Sequence, residues 1–280
     1  MDNYQLTQDQ ITAYGVCLRT EEHTPSTIEK YLRDTRAFAV WLEGRPVTRE
    51  LAAEWRDRLL SSGHKPSTVN SMLAAVNGLF RFLGWGIRVK FLKVQRRLFR
   101  DQSRELTRGE YDLLVNTARA AGKERLALLM EAVCATGVRV SEVKYLTVEA
   151  AQCGRAEIAL KGKIRMILLP NKLCRKLLKY ARKQKIASGE IFLTRSGASL
   201  SRRQIWAEMK QLCKATGVAS EKVYPHNLRH LFARTFYQAC KDIARLADVL
   251  GHSSIETTRI YLVTTGAEQV RQLDRLGLVS

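Results

Sequence analysis

The chain has 280 residues, enough for one large domain or two ordinary ones with a proper core. Its 47 Lys and Arg against 27 Asp and Glu leave a net charge of +20, while 45% of residues are hydrophobic and 26% charged. That balance excludes an acidic or disordered chain and points to a polyanion. Nucleic acid is favoured over an anionic membrane, because no lipid-anchor motif or basic amphipathic end is evident.

Residues 5–84 read as all-helical and contain a repeat. Pro25-Ser26-Thr27-Ile28 returns 41 positions later as Pro66-Ser67-Thr68-Val69. Ile28, Tyr31, Leu32, Thr35, Phe38, Ala39 and Leu42 map onto Val69, Met72, Leu73, Val76, Leu79, Phe80 and Leu83 at the same offset. This i, i+3, i+4, i+7 spacing is one buried helix face. Ser26 with Glu29 predicts a capping box, and Ser67 a cap for the second copy. Further helices are predicted at about Leu6–Leu18 and Arg49–Ser61, completing a four-helix unit. Lys30, Arg33, Lys65 and Arg81 lie on polar faces and are candidates for phosphate contact.

Gly84-Trp85-Gly86 breaks the pattern. From Arg88 to Arg104 seven basic residues, Lys90, Lys93, Arg96 and Arg97 among them, face one acid, Asp101. Composition therefore divides the chain into a helical domain at 1–86, a basic linker at 87–105 with the charge to lie along a DNA groove, and a second domain at 106–280.

Thr107 and Glu110 open the second domain with a capping box. Helices are predicted at 108–120 and 124–135, the latter ending in Thr136-Gly137-Val138-Arg139. The period then shortens. Glu157–Leu160 and Ile164–Leu169 read as two strands around a turn at Lys161-Gly162-Lys163. Helices follow at 171–186, at 201–215, from about His226, and at 242–249 before Gly251. Ile191–Leu193 reads as a further short strand. The fold class is thus mainly α with a small antiparallel β-sheet. The six cysteines (Cys17, Cys134, Cys153, Cys174, Cys213 and Cys240) form no CxxC pair. They read as reduced, mostly buried thiols of a cytoplasmic protein. No signal peptide is evident, and no apolar run approaches the ~18 residues of a membrane span.

The chemistry gathers late in the chain. Three of the five histidines, His226, His230 and His252, fall between Pro225 and Tyr261. His226 and Arg229, at i and i+3, share a face at a helix N-terminus. A zinc site at His226 and His230 lacks the Glu that follows the first histidine in HExxH. Two arginines, Arg139 and Arg229, can grip the non-bridging oxygens of one phosphate. Cations there act preferentially on the extra charge of a phosphoryl-transfer transition state. Tyr261 can serve as the nucleophile, and a lysine of the hairpin, Lys161 or Lys163, can protonate a leaving 5′-oxygen. Glu142 lies three residues after Arg139, where it can buttress it. No acidic cluster suggests a Mg²⁺ site, and no cofactor is called for.

In order and spacing this set resembles the tyrosine recombinase (phage integrase) family. The matching stretches are Ala135–Glu142, the Lys161-Gly162-Lys163 turn, His226-Asn227-Leu228-Arg229-His230, Leu250-Gly251-His252-Ser253 and Tyr261. The N-terminal repeat is similar to that family's helical core-binding domain, and the likeness is to compact, two-domain, Xer-like members.

The resemblance implies that Arg139 and Arg229 clamp the scissile phosphate. His226 then assists proton transfer at the nucleophile, and His252 hydrogen-bonds the phosphate. Tyr261 attacks to form a 3′-phosphotyrosyl link, freeing a 5′-hydroxyl that attacks the partner strand's link. Of the two lysines, Lys161 is preferred because it comes first and precedes the turn glycine. Glu142 and His230 support the site. The implied partner is double-stranded DNA at specific sites, engaged by a homo-tetramer through a Holliday junction without metal or ATP, with DNA-bending proteins as accessories. Other expectations are a type IB topoisomerase-like or telomere-resolving enzyme, or a non-catalytic DNA-binding regulator.

Overall fold

A computed structural model describes residues 4–94, 102–160, 163–261, 270–271 and 274–276; the side chains of 102, 160 and 163 are not included. Two compact units divide the chain, Met1–Arg96 and Arg97–Ser280.

The first unit carries α1 (Gln8–Thr20), α2 (Pro25–Leu42), α3 (Arg49–Ser61) and α4 (Pro66–Phe82). The repeat is real in space. Ile28, Thr35, Phe38 and Leu42 of α2 are buried, as are Val69, Leu73, Val76, Leu79 and Phe80 of α4. Phe38 lies edge-on to both Trp55 and Phe80, with ring centroids 5.0 and 5.8 Å away, and this aromatic trio anchors the core. The expected serine caps do not form. The N-cap positions are Thr24 and Lys65, neither with a side-chain cap bond, and Pro25 and Pro66 stand at the first helical position. Proline presets the helical φ at the first position and has no N–H to leave unpaired there, so both helices start one residue before the serines, which fall inside the first turn instead of capping it.

Past Gly84 the chain doubles back. Trp85 stacks on Tyr4 at 4.7 Å and on Phe80 at 5.6 Å. Residues 87–92, which composition assigns to the linker, run extended along α4. The Asn77 amide donates to the Val89 carbonyl and accepts from the Val89 amide, both at 2.9 Å. Asn70, two turns earlier, does the same to Leu92 at 2.9 and 2.8 Å. Each asparagine thus supplies the donor–acceptor pair a neighbouring strand would give. Ile87 and Val89 face inward, while Arg88, Lys90 and Lys93 stay exposed. Arg96 and Arg97 lie outside the described residues.

In the second unit α5 (Arg108–Ala120) opens with the expected Thr107–Glu110 capping box, and α6 (Glu124–Thr136) follows. A 3₁₀ turn at Val140–Tyr145 and the short α7 (Val148–Cys153) lead into the sheet. Its strands are β1 (Arg155–Leu160) and β2 (Lys163–Leu168), antiparallel, with Ile158 opposite Arg165. Then come α8 (Asn171–Lys183), α9 (Arg202–Thr216), α10 (Pro225–Cys240), α11 (Ile243–Leu250) and α12 (Ile255–Arg259). The core is formed by Leu114, Leu129, Met130, Val133, Leu177, Phe192, Met209 and Leu228. The strand expected at Ile191–Leu193 is not one. Leu193 makes a single bridge to Ser199, and Ile191 and Phe192 serve as core plugs in an irregular segment. A short apolar run reads alike whether it fills a core or joins a sheet. Among the described residues no helix is long and apolar enough to cross a membrane.

Candidate active site

The site grows from the end of α6. Gly137 takes φ +65°, and a Cβ there would lie 2.5 Å from the Phe232 ring, so only glycine turns the chain here. The turn delivers Arg139 to the 3₁₀ segment. The Arg139 amide donates to Glu142 Oε2 at 2.8 Å, and its Nη1 donates to Oε1 at 2.9 Å. Glu142 is only 2% exposed, so the expected buttress exists and is buried.

The start of α10 supplies the second clamp. Pro225 begins the helix, and Asn227 pins its first turn by donating to the carbonyls of Arg104 (2.7 Å) and Lys222 (2.8 Å). Arg229 is buried. It donates through Nη1 to the Gly137 carbonyl and through Nη2 to the Leu250 carbonyl at 2.8 Å. These bonds offset part of the desolvation of the guanidinium. Burial and the neighbouring Arg139 push the Arg229 pKa down from the usual arginine value.

The third piece is the end of α11. Gly251 terminates this helix at φ +61°, leaving its last carbonyls without intrahelical partners. Three arginines from three separate elements take successive ones. Arg165 Nη1 reaches Val249 O at 3.4 Å, Arg229 Nη2 reaches Leu250 O at 2.8 Å, and Arg139 Nη2 reaches Gly251 O at 3.3 Å. The negative end of the helix dipole thus holds a set of cations in place.

His252 follows directly. Its Nε2 lies 2.9 Å from Arg229 Nη2 and its Nδ1 lies 2.8 Å from Thr258 Oγ1. An arginine can only donate, so Nε2 accepts and the ring proton sits on Nδ1, facing the fully buried Thr258. Burial, followed by Arg229, Arg139 and Arg165, pushes the imidazole pKa down to about 4. His226 keeps an edge open to solvent. Desolvation by the atoms around its ring, then the charges of Arg229, Arg202 and Arg139, lower its pKa too. Both rings are therefore neutral near pH 7, and His226 is able to accept a proton.

Tyr261 lies just beyond α12, with its amide bonded to the Thr258 carbonyl at 3.0 Å. It is 3% exposed and packs with Ala233, Leu246 and Leu250. Its ring is held between His230, edge-on at 4.5 Å, and His252, nearly parallel at 5.9 Å. The phenol also interacts with the Arg229 guanidinium.

Arg139, Glu142, His226, Arg229, His230, His252 and Tyr261 are therefore gathered in one place from positions up to 122 residues apart in sequence. Lys161 lies outside the described residues. Lys163 begins β2, and its side chain is likewise outside them. In the first unit, Lys30 and Arg33 are tied to the buried Asp34 at 2.8 Å each, and Lys30 also donates to Ser71 O. Lys65, Arg81, Lys90 and Lys93 are exposed. Sequence reasoning missed Arg165, Thr258 and Arg202. Along β2 the apolar Ile164, Met166 and Leu168 alternate with Lys163 and Arg165, a pattern that points position 165 outward, whereas the apolar set is the exposed one. A lone threonine carries no signal at all.

Comparison with known proteins follows the same line. Residues 104–267 match the phage integrase family, and residues 11–86 match the phage integrase N-terminal SAM-like domain. The chain is 31% identical to tyrosine recombinase XerC of Roseiflexus castenholzii, over 90% of this chain and 88% of that one. It is 28% identical to tyrosine recombinase XerA of Thermococcus kodakarensis, over 91% and 90%. Among solved structures it is similar to a lambda integrase dimer bound to a COC′ core site (TM-score 0.74, 19% identity, 92% of this chain and 95% of that one). It is also similar to XerH bound to a palindromic difH substrate (TM-score 0.68, 20% identity, 90% and 77%).

Proposed function

Because the chain belongs to the phage integrase family, we propose that it is a site-specific DNA recombinase working through a 3′-phosphotyrosyl intermediate. The observation that carries this reading is the convergence of Arg139, Arg229, His226 and His252 in one charged cluster, with the buried ring of Tyr261 packed against His252 and His230. Among the described residues the guanidiniums of Arg139, Arg165 and Arg229 share the centre with the carboxylate of Glu142, which leaves surplus positive charge for a phosphate.

In the first step the Tyr261 oxygen bonds to phosphorus and the 5′-oxygen of the next nucleotide leaves. The phenol's proton passes toward His226, whose lowered pKa keeps it a base. The leaving oxygen takes a proton from the turn lysine, for which Lys161 is the first choice. Arg139 and Arg229 release part of their carbonyl bonding to grip the non-bridging oxygens, and their hold tightens as charge builds there. His252 joins them once its Nε2 carries a proton. The phosphodiester energy stays in the tyrosyl link, and a 5′-hydroxyl from the partner strand reverses the chemistry.

The partner is duplex DNA. The exposed Arg88, Lys90 and Lys93 on the extended segment beside α4 suit its phosphates. The lambda integrase relative above is bound to core-site DNA, and a second solved structure similar to this chain is a lambda integrase tetramer bound to a Holliday junction, which supports assembly of this chain as a tetramer on paired sites. DNA-bending accessory proteins and a nucleoid-associated, cytoplasmic location complete the reading.

The test is to trap covalent adducts on fragmented host DNA and sequence the protein-linked 3′ ends. Ends converging on one short motif support a site-specific recombinase. Ends scattered over sequence, with relaxation of any plasmid, favour a topoisomerase.

A further inference from the structure

Arg165 shares the centre but takes no part in the cleavage step described above. It lies on the inward side of β2, beside the buried Ile167, while its neighbours Ile164 and Met166 are 74% and 55% exposed. Its side chain is 14% exposed. Nη2 donates to Glu142 Oε2 at 2.6 Å, and Nη1 reaches the Val249 carbonyl at 3.4 Å. Its Cδ lies against Gly251, where an added Cβ would come within 2.4 Å.

We propose that Arg165 is a positioning residue for the phosphate clamp, locking Glu142 and the end of α11 into the geometry that Arg139 and His252 require. The inference rests on the recombinase reading of the site. Glu142 has two oxygens for three donors. Oε1 takes Arg139 Nη1, while Oε2 takes both the Arg139 amide and Arg165 Nη2. Glu142 is buried while the side chain of Arg139 is 39% exposed, so that pair is partly screened by solvent; Arg165, 14% exposed, supplies a second, better-shielded cation against the desolvation of the carboxylate. The same guanidinium bonds the carbonyl two residues before Gly251, whose own carbonyl Arg139 holds. Arg165 is therefore linked to Arg139 from both ends, through a carboxylate and through a helix terminus. His252 is the next residue. Because Arg165 also stands on β2, which Lys163 begins, its ion pair ties the strand after the turn lysines to the clamp.

Two substitutions and two substrates test this. Arg165→Met keeps length and removes charge; Arg165→Lys restores a cation able to pair with Glu142. Single-turnover adduct formation is measured on a nicked duplex with an ordinary scissile phosphate, and on one with a methylphosphonate there. The methylphosphonate has no non-bridging negative charge to clamp. Arg165→Met should slow cleavage of the phosphodiester about 100-fold, the effect of misplacing a catalytic group by about 1 Å. The DNA dissociation constant should stay within about threefold, since no phosphate contact is lost. On the methylphosphonate the gap from wild type should close to within about threefold, because clamp placement no longer matters there. Arg165→Lys should recover part of the phosphodiester rate.

Equal losses on both substrates would make Arg165 merely structural and overturn the proposal, as would an unchanged phosphodiester rate. A loss carried wholly by weaker DNA binding would make it a direct contact and also overturn it. If wild type forms no adduct on either substrate, the recombinase reading fails instead. Arg165 is then judged by the His252 imidazole titration. That should move upward in Arg165→Met as a nearby cation disappears, and a fixed titration counts against the proposal.

Discussion

The guanidinium of Arg229 donates to the imidazole of His252, Nη2 to Nε2 at 2.9 Å, while the other ring nitrogen faces Thr258 at 2.8 Å. In this arrangement His252 is therefore an acceptor, neutral, with its proton on Nδ1. To hydrogen-bond a phosphate it must present a proton on Nε2. Arrival of a phosphate provides for both changes, since it draws the Arg229 N–H away and its negative charge favours the imidazolium.

The first prediction concerns protons. His252 titrates near 4 in the free protein instead of the usual 6.5. Between those values the unfolded chain holds more protons, so stability falls as pH drops through 6.5 toward 4. His252→Gln should remove part of that fall in a series of denaturant titrations. Imidazole NMR should show the low pKa in the free protein and a rise when DNA is bound.

Thr258→Val keeps the shape and removes the oxygen that fixes the ring. The Nδ1–H of His252 is then left without its buried partner, at a cost of about 1–3 kcal/mol. Single-turnover cleavage should fall about 5- to 150-fold, the same range expressed as a rate, while DNA affinity holds. Unchanged cleavage would mean that Thr258 does not set the tautomer.

Arg229→Lys should be nearly as damaging as Arg229→Ala. A lysine keeps the charge but cannot reach the carbonyls of Gly137 and Leu250 and the His252 ring together. Loss of about 100- to 1,000-fold in cleavage is expected for either. Both should also lower the melting temperature, because those carbonyls lose their donor.

For the first unit, Asn77→Ala leaves the buried amide and carbonyl of Val89 unpaired and should cost about 1–3 kcal/mol in denaturant unfolding. Lys90→Ala and Lys93→Ala should each reduce the salt slope of DNA binding by about one, with little change in stability. Lys30→Ala should change that slope less, since Lys30 is already bonded to Asp34 and Ser71.

Much of this was legible in the sequence because it depends on local spacing. The 41-residue repeat marked α2 and α4, and Gly137 and Gly251 marked the turns that aim Arg139 and His252. His226 and Arg229 were visible as neighbours on one helix turn. What the sequence hid is long-range pairing. Arg165 meets Glu142 across 23 positions and Val249 across 84. The asparagines of α4 bind backbone, which has no sequence of its own to read, so a basic stretch that composition calls a linker begins as a strap on α4. Proline at the first helical position displaced the serine caps for the same kind of reason: two valid starting signals overlapped, and the stereochemical one won.

The central claim is that Tyr261 attacks a phosphate held by Arg139 and Arg229. A nicked duplex bearing the recognised site, which releases a short product after cleavage and so traps the intermediate, tests it most directly. Wild type should accumulate a covalent protein–DNA adduct through a 3′ end, and Tyr261→Phe, which keeps the ring between His230 and His252, should form none while binding the duplex as tightly. An adduct that persists in Tyr261→Phe would contradict the account.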